Sequence, residues 1–412
     1  MTVVVWIAMV LSTARAFLHY PMAHSSFRVC YGSWKHRRPL FHQEYQRRIA
    51  AASRSMTTNQ NHTHAKVSFT NMTVRQIYQT SLERLKEQGI SEPEWSVAHL
   101  LASAMDLPWS NGFFQLQRAM DAPAADDDDD NVNTRTSKWF TNLSPCLTPS
   151  QCERYQSMLE RRLQHEPLQY ILGKWDFLDY QEIIVRPPLL CPRPETEELV
   201  ELVRNDLRQQ YPKHEHHQPP CLRILDVGCG TGVIGIALAD AIPQSHVVAI
   251  DIEPIAITTS LENAQWILGS DFAQRYTAWQ CSAEEYPDTT SSEQQIDASF
   301  VQFDVVVSNP PYIPRKDMST LAPDVVSYES DHALCGGNDG MNVIRTIVSK
   351  WATVWGKKPT SVCWIEVDPS HPSLLKSWLE QQHGELGVIL ESIHQDMSGR
   401  DRFVKLSFRN KD

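Results

Sequence analysis

The stretch Leu222-Arg223-Ile224-Leu225-Asp226-Val227-Gly228-Cys229-Gly230-Thr231-Gly232 decides how the second half of this chain folds. Its first six residues are mostly apolar and read as a short, buried strand. The glycines that follow let the backbone turn tightly and approach a ligand closely before a helix begins. Residues 233–241 supply that helix. Outward from this point strand and helix patterns alternate: a strand at 247–251, a helix at 255–267, then strands at 303–308, 361–367 and 403–408 with helical stretches between. Such alternation predicts an α/β fold, a doubly wound and mainly parallel sheet whose ligand sits at the carboxyl ends of the strands. Asp251 closes the second strand, where a carboxylate can take two hydrogen bonds from the hydroxyls of a ribose. Gly228, Gly230, Gly232 and Gly235 with Asp251 leave a nicotinamide dehydrogenase open at this stage.

The strand at 303–308 narrows the choice, because it runs straight into Asn309-Pro310-Pro311-Tyr312. Two prolines at a strand exit hold the backbone and remove two amide donors, leaving carbonyls free to accept. An Asn carboxamide beside a free carbonyl can take both hydrogens of an –NH₂ group. Tyr312 offers a face on which a flat amide or base can stack. An amide nitrogen is a poor nucleophile because its lone pair is delocalised into the carbonyl. Two acceptors gripping the –NH₂ group would localise and aim that pair, so orientation and electrostatics carry the chemistry. Asn-Pro-Pro alone is an ordinary turn; its place one strand–helix set beyond a Gly-rich turn and an acid makes it specific.

Upstream, Val74, Ile77, Tyr78, Leu82 and Leu85 recur at helical spacing after Thr73, and Gly89 ends that helix. Ser91-Glu92-Pro93-Glu94 reads as a capping box opening a second helix, and Thr148-Pro149 begins a third that runs to about His165. Between them lies a polar insertion, 121–142, with five aspartates from Asp126 to Asp130. It lacks the ligand spacing and glycine of a calcium loop and reads as solvated and disordered. Ile183, Ile184 and Val185 mark a hairpin, and Arg193-Pro194-Glu195-Thr196-Glu197 leads into another helix. His214-Glu215-His216-His217 has no second ligand cluster and reads as an exposed loop.

Charge is unevenly spread. Residues 1–55 carry eight Lys or Arg and one acid, a local +7, which leaves −18 for the remainder of a chain whose net is −11. An acidic body repels a polyanion, so stable nucleic-acid binding is not expected and a protein substrate fits better. The nine cysteines include no C-x-x-C pair, which argues against a zinc site or disulfide framework and for a reducing compartment. The apolar run from Val3 to Leu11 is too short to span a bilayer. It is followed by Ala14-Arg15-Ala16 and an Arg-rich, acid-poor stretch, which together read as an organellar import segment. Mitochondrion and plastid both remain open, as does initiation at Met56.

Residues 226–232, Asp251 and 309–312 resemble the class I methyltransferases. Three further segments make the chain similar to the HemK/PrmC family of protein-(glutamine-N5) methyltransferases, from about Met72 to Phe408. They are 166–173 (Glu-Pro-Leu-Gln-Tyr-Ile-Leu-Gly), 192–197 (Pro-Arg-Pro-Glu-Thr-Glu), and Tyr328 with Ala333-Leu334 and 336–340 (Gly-Gly-Asn-Asp-Gly). The resemblance implies a seven-stranded sheet that binds S-adenosylmethionine, and a small helical N-terminal domain. It implies as substrate the glutamine of the Gly-Gly-Gln loop in a class 1 peptide release factor.

It also implies roles. Asp226, Gly228, Cys229, Gly230, Thr231 and Gly232 would bind the cofactor, with Asp251 on its ribose and Ile252, Ser282, Ala283 and Asn309 completing the site. Asn309 and the Pro310 carbonyl would hold the glutamine amide, with Pro311 and Tyr312 beside it and Arg193 and Glu197 buttressing the wall. Gln280-Cys281-Ser282-Ala283 departs from the family's acid-and-aromatic pattern beside the adenine, where Ser282 would bond the exocyclic amine. The run at 365–372 resembles the mitochondrial branch. The domains expected are 1–55 for import, 70–168 for substrate recognition, 169–192 as a hairpin linker and 193–412 for methyl transfer. The molecule is expected to act as a monomer, without metal or membrane. Asn-Pro-Pro-Tyr also serves enzymes that methylate the exocyclic nitrogen of adenine, which would call for a basic surface. An idle cofactor-binding scaffold would not need Asn309.

Overall fold

The computed structural model describes residues 68–109, 116, 146–210, 221–286, 301–356, 359–382 and 384–409, all of them within the unit Arg48–Asp412. The expected import segment, the Asp126–Asp130 run and the histidines at 214–217 lie outside them. Helix α1 (Val74–Glu87) begins at Thr73, whose hydroxyl accepts from the Gln76 amide while Gln76 reaches back to the Thr73 amide. Its buried face is Val74, Ile77, Tyr78 and Leu85. Helix α2 (Pro93–Ala104) starts one residue later than Ser91 would have capped it. Glu92 occupies the N-cap at φ 50° with no side-chain cap. A residue before proline is disfavoured in right-handed helical space, and the Ser91 carbonyl accepts from Arg162 at 3.4 Å. Helix α3 (Pro149–Leu163) has a full capping box between Thr148 and Gln151. These helices and α4 (Leu168–Leu172) share a core of their own around Leu101, Tyr155 and Leu159.

An antiparallel pair, β1 (Lys174–Phe177) and β2 (Tyr180–Ile184), leads to helix α5 (Pro194–Gln210). The main sheet comprises β3 (Leu222–Val227), β4 (Ser245–Asp251), β5 (Tyr276–Gln280), β6 (Val305–Ser308), β7 (Val362–Glu366), β8 (Val388–Gln395) and β9 (Asp401–Phe408). Their order across the sheet is β5-β4-β3-β6-β7-β9-β8, parallel except that β9 runs against both β7 and β8. Successive side chains point to opposite faces. Thus Ile224, Val305, Val307 and Trp364 pack on one side with α5 and α6 (Val233–Ala241). Leu225, Val306 and Ile365 pack on the other with α11 (Asn342–Lys350) and α12 (His371–Gln381). Both faces are covered, as a parallel sheet requires. Among the described residues the other α-helices are α7 (Pro254–Leu268), α8 (Phe272–Arg275), α9 (Pro323–Val326) and α10 (Asp331–Leu334).

Strand β8 replaces a stretch that the sequence pattern gives as helical, and β5 falls between 267 and 303, where the pattern assigns no element. Both are edge strands. Along β8 every second residue faces outward, leaving Ile389 and Ile393 exposed, so no continuous apolar run marks it. The chain passes from β3 to β4 on one side and later returns through β6 on the other, which opens a crevice at the carboxyl ends of β3 and β6. Register sets Val227 beside Ser308 and Asp251 beside Gln280. The Gly-rich turn, the ribose-type acid and the Asn-Pro-Pro-Tyr segment therefore converge on one edge of the sheet.

Candidate active site

At that edge lies a cavity of about 380 Å³. It is lined by Gly228, Cys229, Gly230 and Thr231 of the Gly-rich turn, by Asp251 and Ile252 at the end of β4, and by Cys281, Ser282 and Ala283 after β5. Asn309, Pro311, Arg193 and Thr196 also line it. Gly228 and Gly230 have φ of +71° and +53°, and a Cβ added to either would meet no atom within 4 Å. The open space above these two residues is a cradle for a ligand brought close to backbone. Asp251 is held by two amides, Gly230 N–H to Oδ2 at 2.8 Å and Glu253 N–H to Oδ1 at 2.9 Å. Burial raises its pKa, and these two bonds oppose that rise. Its carboxylate is thus oriented in the cavity wall, with lone pairs left for a diol.

Two residues expected on the cofactor shape the turn instead. The Asp226 carboxylate is fully buried and accepts the Gly235 amide at 2.9 Å, outside the cavity wall. Burial pushes its pKa up to about 7. Gly232, at φ +83°, also stands back from the cavity; a Cβ there would come within 2.7 Å of Ser260 Cβ. Ser282 lines the cavity, but its hydroxyl donates to Glu285 at 3.2 Å and accepts the Glu285 amide at 3.2 Å. Its proton is therefore used in a local turn rather than offered to a ligand.

The Asn309 carboxamide donates from Nδ2 to the Thr196 hydroxyl at 2.9 Å. Thr196 donates to Glu366 Oε2 at 2.8 Å, and the Tyr312 hydroxyl donates to Glu366 Oε1 at 3.2 Å. Arg402 follows, 3.4 Å from the Tyr312 oxygen and 5.9 Å from the ring centre. Neither the Pro310 nor the Tyr312 side chain belongs to the cavity wall; Tyr312 stands behind the loop with its hydroxyl on Glu366. Among the described residues no hydrogen bond reaches Asn309 Oδ1 or the Pro310 carbonyl. Glu366 is almost wholly buried, which pushes its pKa up to about 7 against the opposing pull of Thr196 and Arg402.

Arg193 grips both oxygens of buried Glu329, at 2.8 and 2.7 Å, and Glu329 also accepts the Cys191 amide. That pair braces the rim of the cavity, where Ser330 and His332 also stand. Glu197 points elsewhere, accepting the Leu178 amide at 2.8 Å in the β1–β2 turn. It supports the hairpin rather than the cavity. Thr196, Glu329, Glu366 and Arg402 are the residues that motif reading did not assign. Glu366 carried one signal, a carboxylate ending a strand whose five positions are all buried. Unpaired buried charge is costly, so such a residue implies partners.

A glycine cradle, an amide-held carboxylate and an acceptor pair at the end of the fourth parallel strand define a class I S-adenosylmethionine-dependent methyltransferase. The chain matches a family described as "Methyltransferase domain" over residues 220–335 and one described as "PrmC N-terminal domain" over 76–173. It is 38% identical over 275 residues to the human MTRF1L release factor glutamine methyltransferase, a match covering 66% of this chain and 77% of that one. Against a release factor glutamine methyltransferase of Geobacter sulfurreducens it is 35% identical over 209 residues, 51% of this chain and 64% of the other. Another from Clostridium botulinum is 29% identical over 266 residues, 65% and 84% of the two chains. The chain belongs to the HemK/PrmC family of release factor glutamine methyltransferases.

Proposed function

We propose that this protein transfers the methyl group of S-adenosylmethionine to the N5 amide nitrogen of the glutamine in the Gly-Gly-Gln motif of an organellar class 1 peptide release factor. One observation carries the reading. The Asn309 nitrogen donates to Thr196, while among the described residues Asn309 Oδ1 and the neighbouring Pro310 carbonyl take no bond. Two acceptors match the two hydrogens of a primary amide. The bound cofactor supplies an electrophilic methyl group. Asp251 would hold its ribose, with Gly228 to Thr231, Ile252 and Ala283 around it. Asn309 and Pro310 would orient the glutamine –NH₂ and raise the electron density on its nitrogen. They would stabilise the positive charge that develops there as the methyl group passes from sulfur to nitrogen, one N–H proton then leaving to solvent. The helical unit within 70–168 would receive the protein substrate, and the acidic body favours a protein over a polyanion.

Incubating the protein with methyl-labelled cofactor and an organellar release factor should label the factor at its Gly-Gly-Gln glutamine. A factor carrying Gln→Ala at that position should take up no label; equal labelling of both would refute the assignment.

Import into an organelle rests on the +7 charge of residues 1–55, and the run at 365–372, which resembles the mitochondrial branch, favours the mitochondrion over the plastid. Imaging of a full-length fluorescent fusion should give a mitochondrial pattern. A cytosolic distribution would overturn this part of the reading. Among the described residues no helix is long and apolar enough to cross a membrane.

A further inference from the structure

Behind Asn309 the hydrogen bonds run in a definite direction. A hydroxyl has one proton to give, and an ionised carboxylate only accepts. Thr196 therefore gives its proton to Glu366 and can only accept from Asn309, so the carboxamide must turn its –NH₂ toward Thr196. The Asn309 oxygen is then left facing the cavity. The second Glu366 oxygen is taken by Tyr312, whose own oxygen lies within reach of Arg402. Thr196 and Glu366 are 4% and 1% exposed, so neither can exchange its partner for bulk water. Were Glu366 to carry a proton toward Thr196, the chain could reverse. Thr196 would donate to the Asn309 oxygen, and the Asn309 –NH₂ would face the substrate –NH₂, donor against donor.

We propose that Glu366, acting through Thr196, holds the Asn309 carboxamide with its oxygen toward the cavity, which makes both side chains positioning residues for methyl transfer. This rests on the amide clamp proposed above. The charged and titratable groups around Glu366 come from three sides: Glu195 and Glu198 on α5 with Thr196, Arg402 on β9 with Asp396 in the turn before it, and Tyr312 from the loop after β6. Glu195 raises the Glu366 pKa while Arg402, Thr196 and Tyr312 lower it; burial outweighs them and leaves it near 7. The working, ionised form is thus populated as pH rises through that value and lost below it. Glu198, at about 7, and Asp226, at about 7, titrate in the same range, so only a change at Glu366 itself assigns an acid limb to the relay.

The test compares kcat, KM for the release factor and cofactor affinity in the wild type, Thr196→Val, Thr196→Ser, Glu366→Gln and Asn309→Ala, from about pH 5.5 to 8.5. Thr196→Val, which keeps the shape but neither donates nor accepts, should lower kcat about 10- to 100-fold with cofactor affinity kept. Thr196→Ser should restore most of that loss. Wild-type kcat should fall on acidification through about pH 7, and Glu366→Gln, which cannot ionise, should abolish that limb. If Thr196→Val does not fold, the Glu366→Gln profile decides alone. Wild-type kcat and an unchanged acid limb in Thr196→Val and Glu366→Gln, beside a crippled Asn309→Ala, would overturn the relay and leave the clamp standing. A fully active Asn309→Ala would remove the clamp itself.

Discussion

Asn309→Ala should lower kcat by about 10²- to 10³-fold, the scale seen when one preorganised hydrogen-bonding group is removed from a site of charge development. S-adenosylmethionine should bind nearly as before, because the residues around its expected position, Gly228 to Thr231 and Asp251, are held by bonds that do not involve Asn309. Truncation removes the acceptor that localises the amide lone pair, and leaves Thr196 without the donor it now receives. The loss should fall on kcat more than on KM, since the bond strengthens as the nitrogen gains positive character. Single-turnover methylation of a release factor, with cofactor affinity measured by calorimetry, separates the two effects. Asn309→Asp sharpens the reading. It keeps an acceptor toward the cavity but presents an oxygen to Thr196, whose only proton already goes to Glu366. It should therefore fail nearly as badly as alanine. Wild-type turnover in the alanine variant would end the clamp hypothesis.

The central strands were legible because burial on both faces writes them as apolar runs: 222–227 matched β3, and 247–251 fell within β4. The edges were not. Strand β8 exposes alternate residues and β5 is mostly half-buried, so neither is written as a continuous apolar run. Within the site, the ends of β3, β4 and β6 could be brought together from topology alone, which put Gly230, Asp251 and Asn309 near one another. A linear motif does not separate residues that touch a ligand from residues that shape the turn presenting it. Asp226 and Gly232 are of the second kind; one holds the Gly235 amide and the other clears Ser260. Neighbouring residues of α5 show a related effect. A helix carries adjacent residues to different faces, so Thr196 reaches Asn309 while Glu197 turns to the hairpin. Thr196 lies 113 residues from Asn309, and Glu366 lies 54 from Tyr312. Pairs of that separation depend on sheet order, which spacing in the sequence does not encode.

Gly336→Ala should damage both stability and turnover, although Gly336 is not part of the cavity wall. Its segment is laced to the loop at 309–313: the Gly336 amide donates to the Ile313 carbonyl at 2.9 Å, and the Ile313 amide donates to the Leu334 carbonyl at 2.9 Å. A methyl group at this position would collide with the Gly340 carbonyl and come within 2.6 Å of the Pro311 carbonyl oxygen. Both obstacles are backbone, which cannot rotate away as the end of a side chain would. The main chain must shift, at a cost of about 3 kcal/mol, the upper part of the usual range for overpacking. That corresponds to a Tm lower by roughly 5–10 °C. Displacing Pro311 also displaces Pro310 and Asn309, and an error near 1 Å in such a constellation costs about 10²-fold in rate. Gly399 supplies the control. It sits at φ +76° in the turn between β8 and β9, with nothing within 4 Å of an added Cβ. Gly399→Ala should lose about 1–2 kcal/mol through backbone strain alone and leave kcat untouched. Thermal melts and kcat measured on both variants decide the matter. If Gly336→Ala lost only stability, with wild-type kcat below its melting range, the Gly336–Gly340 turn would be a mere structural support. The expected joint loss would make it the rear wall that sets where the two amide acceptors stand.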